Sequence, residues 1–511
     1  MKGLSKSLYT TFCQCPKAMW LKVYNPDVAT DDPALQARFE AGNEVGDLAM
    51  GLFGDFVEVT VRRDYGGLDL TAMVERTKEE MVRGTECICE ASFALDSNYC
   101  AVDILRRTPG GWAIYEVKSS SSSVGDELNA PDKFQKYAVD IAYQRWLLEQ
   151  CGVKVTGTYL VTLNRDYVRQ GDLDIQQLFN ILDLKDLVNN EYVKVASNVA
   201  RAMEVLQQTS EPTQAVGDHC SKPYGCAFWD YCLGQQGVKN DEPSVFNLYR
   251  LSGKKKLAYL NAGKISFDDI KNENLSPIQR TQVDCTLNGT QYIDKAGSKD
   301  FLDGLSYPLY FLDFETMMPP VPEFNGTKPY QQITFQYSLH YIEQPGGELK
   351  HTEFLAKSDG NDPRRELAEA LCGDIPEDAC ILAYNDPFEK GRIRELAAIY
   401  TDLSGRLMNI HDHIQDLLVP FKSGFYYVPA MGGSFSIKSV LPALFPNNTE
   451  LNYSNLKGPV HNGGEAMTIF PQIAKMEPAK AAAARQALLE YCHLDTLAMV
   501  KVWEQLRETT N

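Results

Sequence analysis

Three evenly spaced cysteines, Cys220, Cys226 and Cys232, limit the possible folds of this chain more than any other feature. They form a C-x5-C-x5-C run in a segment rich in Lys, Pro, Gly and Asp, not the apolar setting of a buried small residue. Three thiolates leave a four-ligand zinc or iron–sulfur site one ligand short. The fourth must come from elsewhere, and Cys13 and Cys15 in Phe12-Cys-Gln-Cys-Pro16 are the candidates. Such a set ties the start of a domain to its end. Local C-x2-C pairs are the usual mark of zinc, so a split set fits a cluster acting as a staple; four ordinary buried cysteines are the alternative.

The compartment bears on that choice. No apolar run reaches the roughly 18 residues of a membrane span, and the first residues carry no apolar signal segment. A cytoplasmic chain with no membrane association is expected. Its 13 cysteines are then thiols or metal ligands rather than disulfides. Cys87, Cys89, Cys100, Cys151, Cys285, Cys372, Cys380 and Cys492 read as buried small residues.

The net charge of −18 opposes non-specific binding to nucleic acid. It does not exclude a nuclease, because carboxylates that hold metal ions add to the negative count. A local basic patch, Lys2, Lys6, Lys17 and Lys22, precedes the first acidic residue, Asp27. With 44% hydrophobic and 23% charged residues, the chain is neither a disordered tail, a collagen nor a disulfide miniature. Its 511 residues suggest two to four domains.

Helical patterns run over 7–22, 33–53, 132–151 and 174–209, with strands over 85–118 and 153–163. Ser119–Ser123 reads as a loop. Residues 236–300 are polar and mixed, and read as a small helical connector. Strands resume at 307–315, 333–342 and 380–385, and helices at 388–400 and 481–507.

Two strand-like runs flank Thr108-Pro-Gly-Gly111, a hairpin signal. On the second, period two puts Glu116 and Lys118 on one face of an otherwise apolar strand. Asp103 has the same predicament on the first, between Val102 and Ile104. Buried charges cost several kcal/mol unless they are paired or bind a metal. The order Asp103, Glu116, Lys118 suits two carboxylates on a divalent ion and a lysine that orients the attacking water. Glu90, one strand earlier, is a further candidate. A buried Glu116–Lys118 ion pair is the alternative.

A second acidic set follows. Tyr307–Thr316 is a strand ending in Asp313-Phe-Glu315, and Gln332–Tyr341 alternates as its neighbour should. Asn385-Asp-Pro-Phe-Glu389 opens a helix. A late helix carries Tyr491 and Asp495, i,i+4 on one face. Carboxylates from a strand, a helix start and a late helix can surround two ions about 3.5–4 Å apart, with the tyrosine positioning water. Asp412 and Asp416 read as structural. Gly433-Ser-Phe-Ser-Ile-Lys438 is either a substrate loop or plain surface.

These motifs carry two resemblances. Cys15-Pro-Lys, then Glu90, Asp103 and Glu116-Val-Lys118, then the three late cysteines resemble RecB-like PD-(D/E)XK nucleases with an iron–sulfur cluster, such as the CRISPR-adaptation exonucleases and AddB-type helicase–nucleases. That resemblance implies a restriction-endonuclease-like domain over 1–235, with Cys15, Cys220, Cys226 and Cys232 holding a 4Fe-4S cluster. The family's late spacing is commonly C-x2-C-x5-C. Its early histidine is missing near Gly42–Gly46, and of its Q-x3-Y motif only Gln144 is present. The set D-x-E, N-x3-E, Y-x3-D resembles DnaQ-like DEDD exonucleases of the tyrosine subtype. It implies a ribonuclease H-like domain over 301–511, with Asp313, Glu315, Glu389, Tyr491 and Asp495 as site residues and Glu389 in place of the usual aspartate. The two together resemble an uncharacterised family of bacterial two-domain proteins.

The expectation is therefore an α/β chain with two candidate sites. It would be a metal-dependent nuclease, an exonuclease hydrolysing phosphodiester bonds of nucleic acid, DNA ahead of RNA. Mg2+ or Mn2+ would be held by Asp103, Glu116, Asp313, Glu315 and Asp495. The alternative is a nucleic-acid-binding protein with one or both sites inactive.

Overall fold

The computed structural model describes residues 3–31 and 35–510. The start of the expected 33–53 helix lies outside the described residues, as does Lys2. The chain is α/β and divides into two compact units, Met1–Gln236 with Pro319–Gln331, and Gly237–Met318 with Gln332–Asn511.

The first unit is built on a seven-stranded mixed sheet. Cys87–Leu95, Asn98–Thr108 and Gly111–Ser122 form an antiparallel meander. Val155–Asn164 then runs parallel to the third of these. The short Leu4–Ser5 strand pairs parallel to Asn98–Tyr99, which delivers Lys6 to the edge of the meander. Ser5 caps the following helix by accepting from Leu8 N. That helix, Lys6–Gln14, stops at Cys15 because Pro16 follows, and a residue before proline is steered to extended backbone. Cys15 is extended (φ −159°), and its sulfur accepts from Ala18 N at the start of the Pro16–Tyr24 helix. The single expected helix over 7–22 is thus two.

Two further expectations change. The Ser119–Ser123 run is not a loop: its first four residues prolong the strand, with Ser122 Oγ 2.6 Å from Thr162 Oγ1. The expected helix over 174–209 is interrupted: a single helical turn at Ile175–Leu178 comes first, and the long helix starts at Lys185. Phe179–Asp183 is instead an edge strand antiparallel to Tyr159–Leu163. Apolar Phe179 and Leu182 fit either period over so short a run. Cys151 is exposed and Cys372 half-buried, unlike the other six of their group.

Within the first unit, Pro319–Gln331 is tied down by polar contacts. Arg169 donates to the Pro322 and Glu323 carbonyls, and Tyr330 Oη donates to the Ser119 carbonyl at 2.5 Å.

The second unit has a five-stranded mixed sheet. Its order is Lys350–Leu355, Ile333–Ile342, Leu309–Met317, Cys380–Ala383, Ile414–Asp416. The first three are antiparallel neighbours and the last three parallel ones. The segment 237–303 is mainly helical and belongs to this unit. One face of the central strand packs Phe311 against Trp503 of the Pro478–Thr510 helix. No helix among the described residues is long and apolar enough to cross a membrane.

Candidate functional sites

In the first unit, three carboxylates stand in one row across adjacent strands. The pairs Cys89–Ile104 and Ala91–Val102 bracket Glu90 opposite Asp103. The next ladder stops at Ile104–Tyr115, one step short of Asp103 and Glu116. It stops because Asp103 Oδ2 takes the Val117 amide at 2.7 Å in place of a backbone acceptor. Glu90 is also irregular: its φ of +57° lies in the left-handed region, which a non-glycine residue seldom adopts. Such conformations cost of order 1–3 kcal/mol and cluster at functional sites.

Glu116 is fully buried and the hub of the row. Lys118 Nζ donates to its Oε1 at 2.5 Å, and Lys6 Nζ to Oε1 and Oε2 at 3.0 and 3.2 Å. Gln144 Nε2 donates to Oε2 at 2.7 Å and to Asp140 Oδ1 at 3.2 Å. Lys6 lies 3.7 Å from Asp103, and Lys118 3.3 Å from Asp140. Burial pushes the Glu116 carboxyl up, but Lys118 and Lys6 outweigh it and hold the group well below the usual range. Its neighbours move the other way. Burial, and then Asp103, push Glu90 up to about 7; burial, and then Glu116, push Asp140 up to about 6. Asp103 is raised by burial and Glu116, against Lys6 and Lys118.

The donor set fits a hard divalent cation. Glu90, Asp103 and Asp140 bring buried carboxylates to the same place as Glu116, and burial raises all three. Gln144 Oε1 is buried with no hydrogen-bond partner, while its Nε2 faces the cluster.

The four expected cysteines meet in this unit. Cys15, Cys226 and Cys232 line one apolar pocket with Cys220, Phe228 and Leu21. All four are free thiols. Burial raises Cys15, Cys226 and Cys232, the last to about 11, with neighbouring sulfurs adding to each shift. Lys17 opposes the rise at Cys15 and Cys232. It is itself buried and anchored 2.8 Å from Glu211. Cys13 is exposed and hydrogen-bonded from Asn198 instead, so it is Cys15 that joins the late cysteines. A tetrahedral zinc with Zn–S about 2.3 Å would hold sulfurs about 3.8 Å apart. The His/Cys/Asp/Glu groups whose ligand atoms all approach within 4.8 Å lie elsewhere among the described residues. Four thiols around one pocket are a donor set that either zinc or an iron–sulfur cluster accepts.

In the second unit, Asp313, Glu315, Tyr491 and Asp495 line one pocket of about 290 Å³ with Lys438, Tyr384 and Gly463. Glu315 and Asp495 are buried and Asp313 half-buried. Burial raises all three carboxyls, and Asp495 adds to the rise at Asp313 and Glu315. Lys438 opposes the shift at Glu315 and Asp495. Asp313, Glu315 and Cys492 bring ligand atoms within 4.8 Å of one another. A cavity of clustered, under-compensated carboxylates fits a divalent ion.

Glu389, unlike its neighbour Phe388, is not among the residues lining that pocket. It is buried in the Pro387–Ile399 helix, with Oε2 unpartnered, yet its charge still raises Asp313 and Glu315. Burial, and then Asp386, lift its own carboxyl to about 8. Asp386 pairs with Lys390 at 2.5 Å. Asp416 is a local brace, accepting from the Asn385 and Leu418 amides and from Lys422.

Four residues at these sites were not among the expected ones. Lys6 showed only as one member of the basic patch. Asp140 had a signal, since it stands one turn before Gln144 on the same helix. Tyr453, whose Oη lies 2.5 Å from Asp495 Oδ1, opens a single 3-10 turn, Tyr453–Asn455, too short for periodicity to mark it. Cys492 was expected to be only a buried small residue; it packs its sulfur 3.8 Å from Asp313 Oδ2.

A family model described as a domain of unknown function (DUF2779) matches residues 310–436, which belong to the second unit apart from Pro319–Gln331. No curated protein matches the chain.

Proposed function

We propose that the protein is a metal-dependent nuclease that hydrolyses phosphodiester bonds of nucleic acid, DNA ahead of RNA, and acts as an exonuclease. The reading takes the first unit as RecB-like with a 4Fe-4S cluster and the second as DnaQ-like. The observation that carries it is the row Glu90, Asp103, Glu116 across three adjacent strands, with Lys118 bonded to Glu116. Two supporting features are the thiols gathered from both ends of the first unit and the carboxylate pocket on the second unit's mixed sheet.

A bound Mg2+ or Mn2+ would supply Lewis acidity at the phosphate and lower the pKa of water. Glu90, Asp103 and Glu116 would hold it in the first unit, and Asp313, Glu315 and Asp495 in the second. Lys118, kept charged by Glu116 and Asp140, would orient the attacking water and balance charge on the phosphate. Gln144 fixes the rotamer of Glu116. In the second unit Tyr491 would position water, and Lys438 adds the pocket's positive charge. The cluster's role in this reading is to staple the unit, since its ligands come from the two ends.

The test is incubation of anaerobically purified protein with end-labelled single- and double-stranded DNA and RNA, with and without Mn2+. Mn2+-dependent cleavage that Asp103→Ala and Lys118→Ala abolish is expected. Cleavage equal to the parent's in both variants would remove the assignment. A second reading, a nucleic-acid-binding protein with an inactive second site, is favoured by one observation: Glu389 is not among the residues lining the pocket that Asp313 lines.

A further inference from the structure

Three of the chain's seven histidines, none given a role above, meet in the second unit. His340 and His351 face each other across neighbouring antiparallel strands. His493 comes down on them from the Pro478–Thr510 helix. The three rings lie 4.4–4.7 Å apart, centroid to centroid, and one nitrogen of each falls within 4.8 Å of the others.

We propose that His340, His351 and His493 form a zinc site, with Glu353 as the fourth ligand. The geometry is close to what the ion demands. At a Zn–N distance of about 2.0–2.1 Å, a tetrahedral site holds its nitrogens about 3.3 Å apart. His351 Nε2 and His493 Nδ1 are 3.3 Å apart. Glu353 stands two residues from His351 on the same strand face, with Oε2 3.9 Å from His351 Nε2. Three borderline imidazoles with a single hard carboxylate suit zinc rather than Mg2+ or Ca2+.

The surroundings match at His340, while Ser338 Oγ, 2.9 Å from His351 Nε2, would give up that contact to the ion. Ligating histidines usually hold their other nitrogen in a hydrogen bond that fixes the ring. His340 Nδ1 lies 2.8 Å from Thr496 Oγ1, which leaves Nε2 for the ion. Thr496 in turn bonds Ser338 Oγ at 2.7 Å. Burial, with help from the other two rings, brings His340 down to about 3; burial and His493 bring His351 down to about 4. Neutral imidazole is the ligating form.

Four protein ligands close the site, so its role is structural. It would pin the late helix to two strands at His493, two residues from both Tyr491 and Asp495. The inference does not depend on the nuclease reading.

Cobalt titration of the chelator-treated full chain tests it. Thiolate ligands give Co2+ an intense near-ultraviolet band, and nitrogen and oxygen ligands give only visible ones. One equivalent with visible bands alone is expected to survive in a Cys226→Ser, Asp313→Ala double variant. It should be lost in His351→Gln and in His493→Gln. Thr496→Val, which touches the ion only through His340, should weaken zinc binding about 10–100-fold. Absence of that equivalent from the double variant overturns the proposal whether or not the histidine variants fold. So does binding by both histidine variants that equals the parent's.

Discussion

Tyr453 Oη donates a 2.5 Å hydrogen bond to Asp495 Oδ1, so the carboxylate of the late helix is held by a tyrosine outside that helix as well as by its own turn. The two tyrosines near Asp495 therefore differ in role. Tyr453→Phe removes a bond to a buried carboxylate and should destabilise the protein by about 1.5–3 kcal/mol in chemical denaturation. Tyr491→Phe should cost less stability and instead slow any cleavage by the second unit, by roughly 10²-fold if it positions water. Equal stability losses would undo the distinction.

Lys6 stands between Glu116 and Asp103, where a cation binding those carboxylates must compete with it. Lys6→Met should tighten Mn2+ binding about tenfold, equivalent to about 1.4 kcal/mol. Isothermal titration reads this directly, and unchanged or weaker binding would show that Lys6 does not compete.

Glu389 gives a pH test. Its carboxyl is raised to about 8, so it is neutral in the folded protein over a range where the unfolded chain is ionised. The stability it lends is fully present below the ordinary glutamate value of 4.5 and is lost as pH rises through about 8. Glu389→Gln should match the parent near pH 5 and exceed it above pH 8 by on the order of 3 kcal/mol. Urea unfolding at the two pH values compares them; parallel curves would refute the shift.

Cys226→Ser should remove the broad visible absorbance expected of an anaerobically purified 4Fe-4S protein. It should also loosen the first unit locally, because metal binding there is coupled to folding. Stoichiometric zinc without iron in the parent would end the cluster assignment.

Much of the acidic sites was legible because charge inside an apolar strand is expensive and so conspicuous. Asp103, Glu116, Asp313 and Glu315 all stand out this way. Period two alone put Glu315 on the face of Asp313. What escaped was set by pairing rather than pattern. The Lys350–Leu355 edge strand carries His351 and Glu353 on one face and shows no apolar alternation to read. Ile414–Asp416 is only three residues long. Nothing in sequence told that Lys6 would reach Glu116, since that depends on a two-residue strand pairing beside Asn98. The break at Cys15 could be read from Pro16, yet only the fold shows that it frees the sulfur to face the late cysteines.

The Pro478–Thr510 helix carries Tyr491, Cys492, His493, Asp495 and Thr496 within two turns. Successive residues on a helix are about 100° apart, so the acidic pocket and the histidine cluster take different sides of one shaft. Neither set can be turned into line without turning the other. Whatever free energy an ion at one side spends on fixing the shaft's rotation, an ion at the other side receives in equal measure. The two sites are thereby joined as an axle joins two wheels, and deleting one residue between Leu488 and Tyr491 would turn both out of register at once.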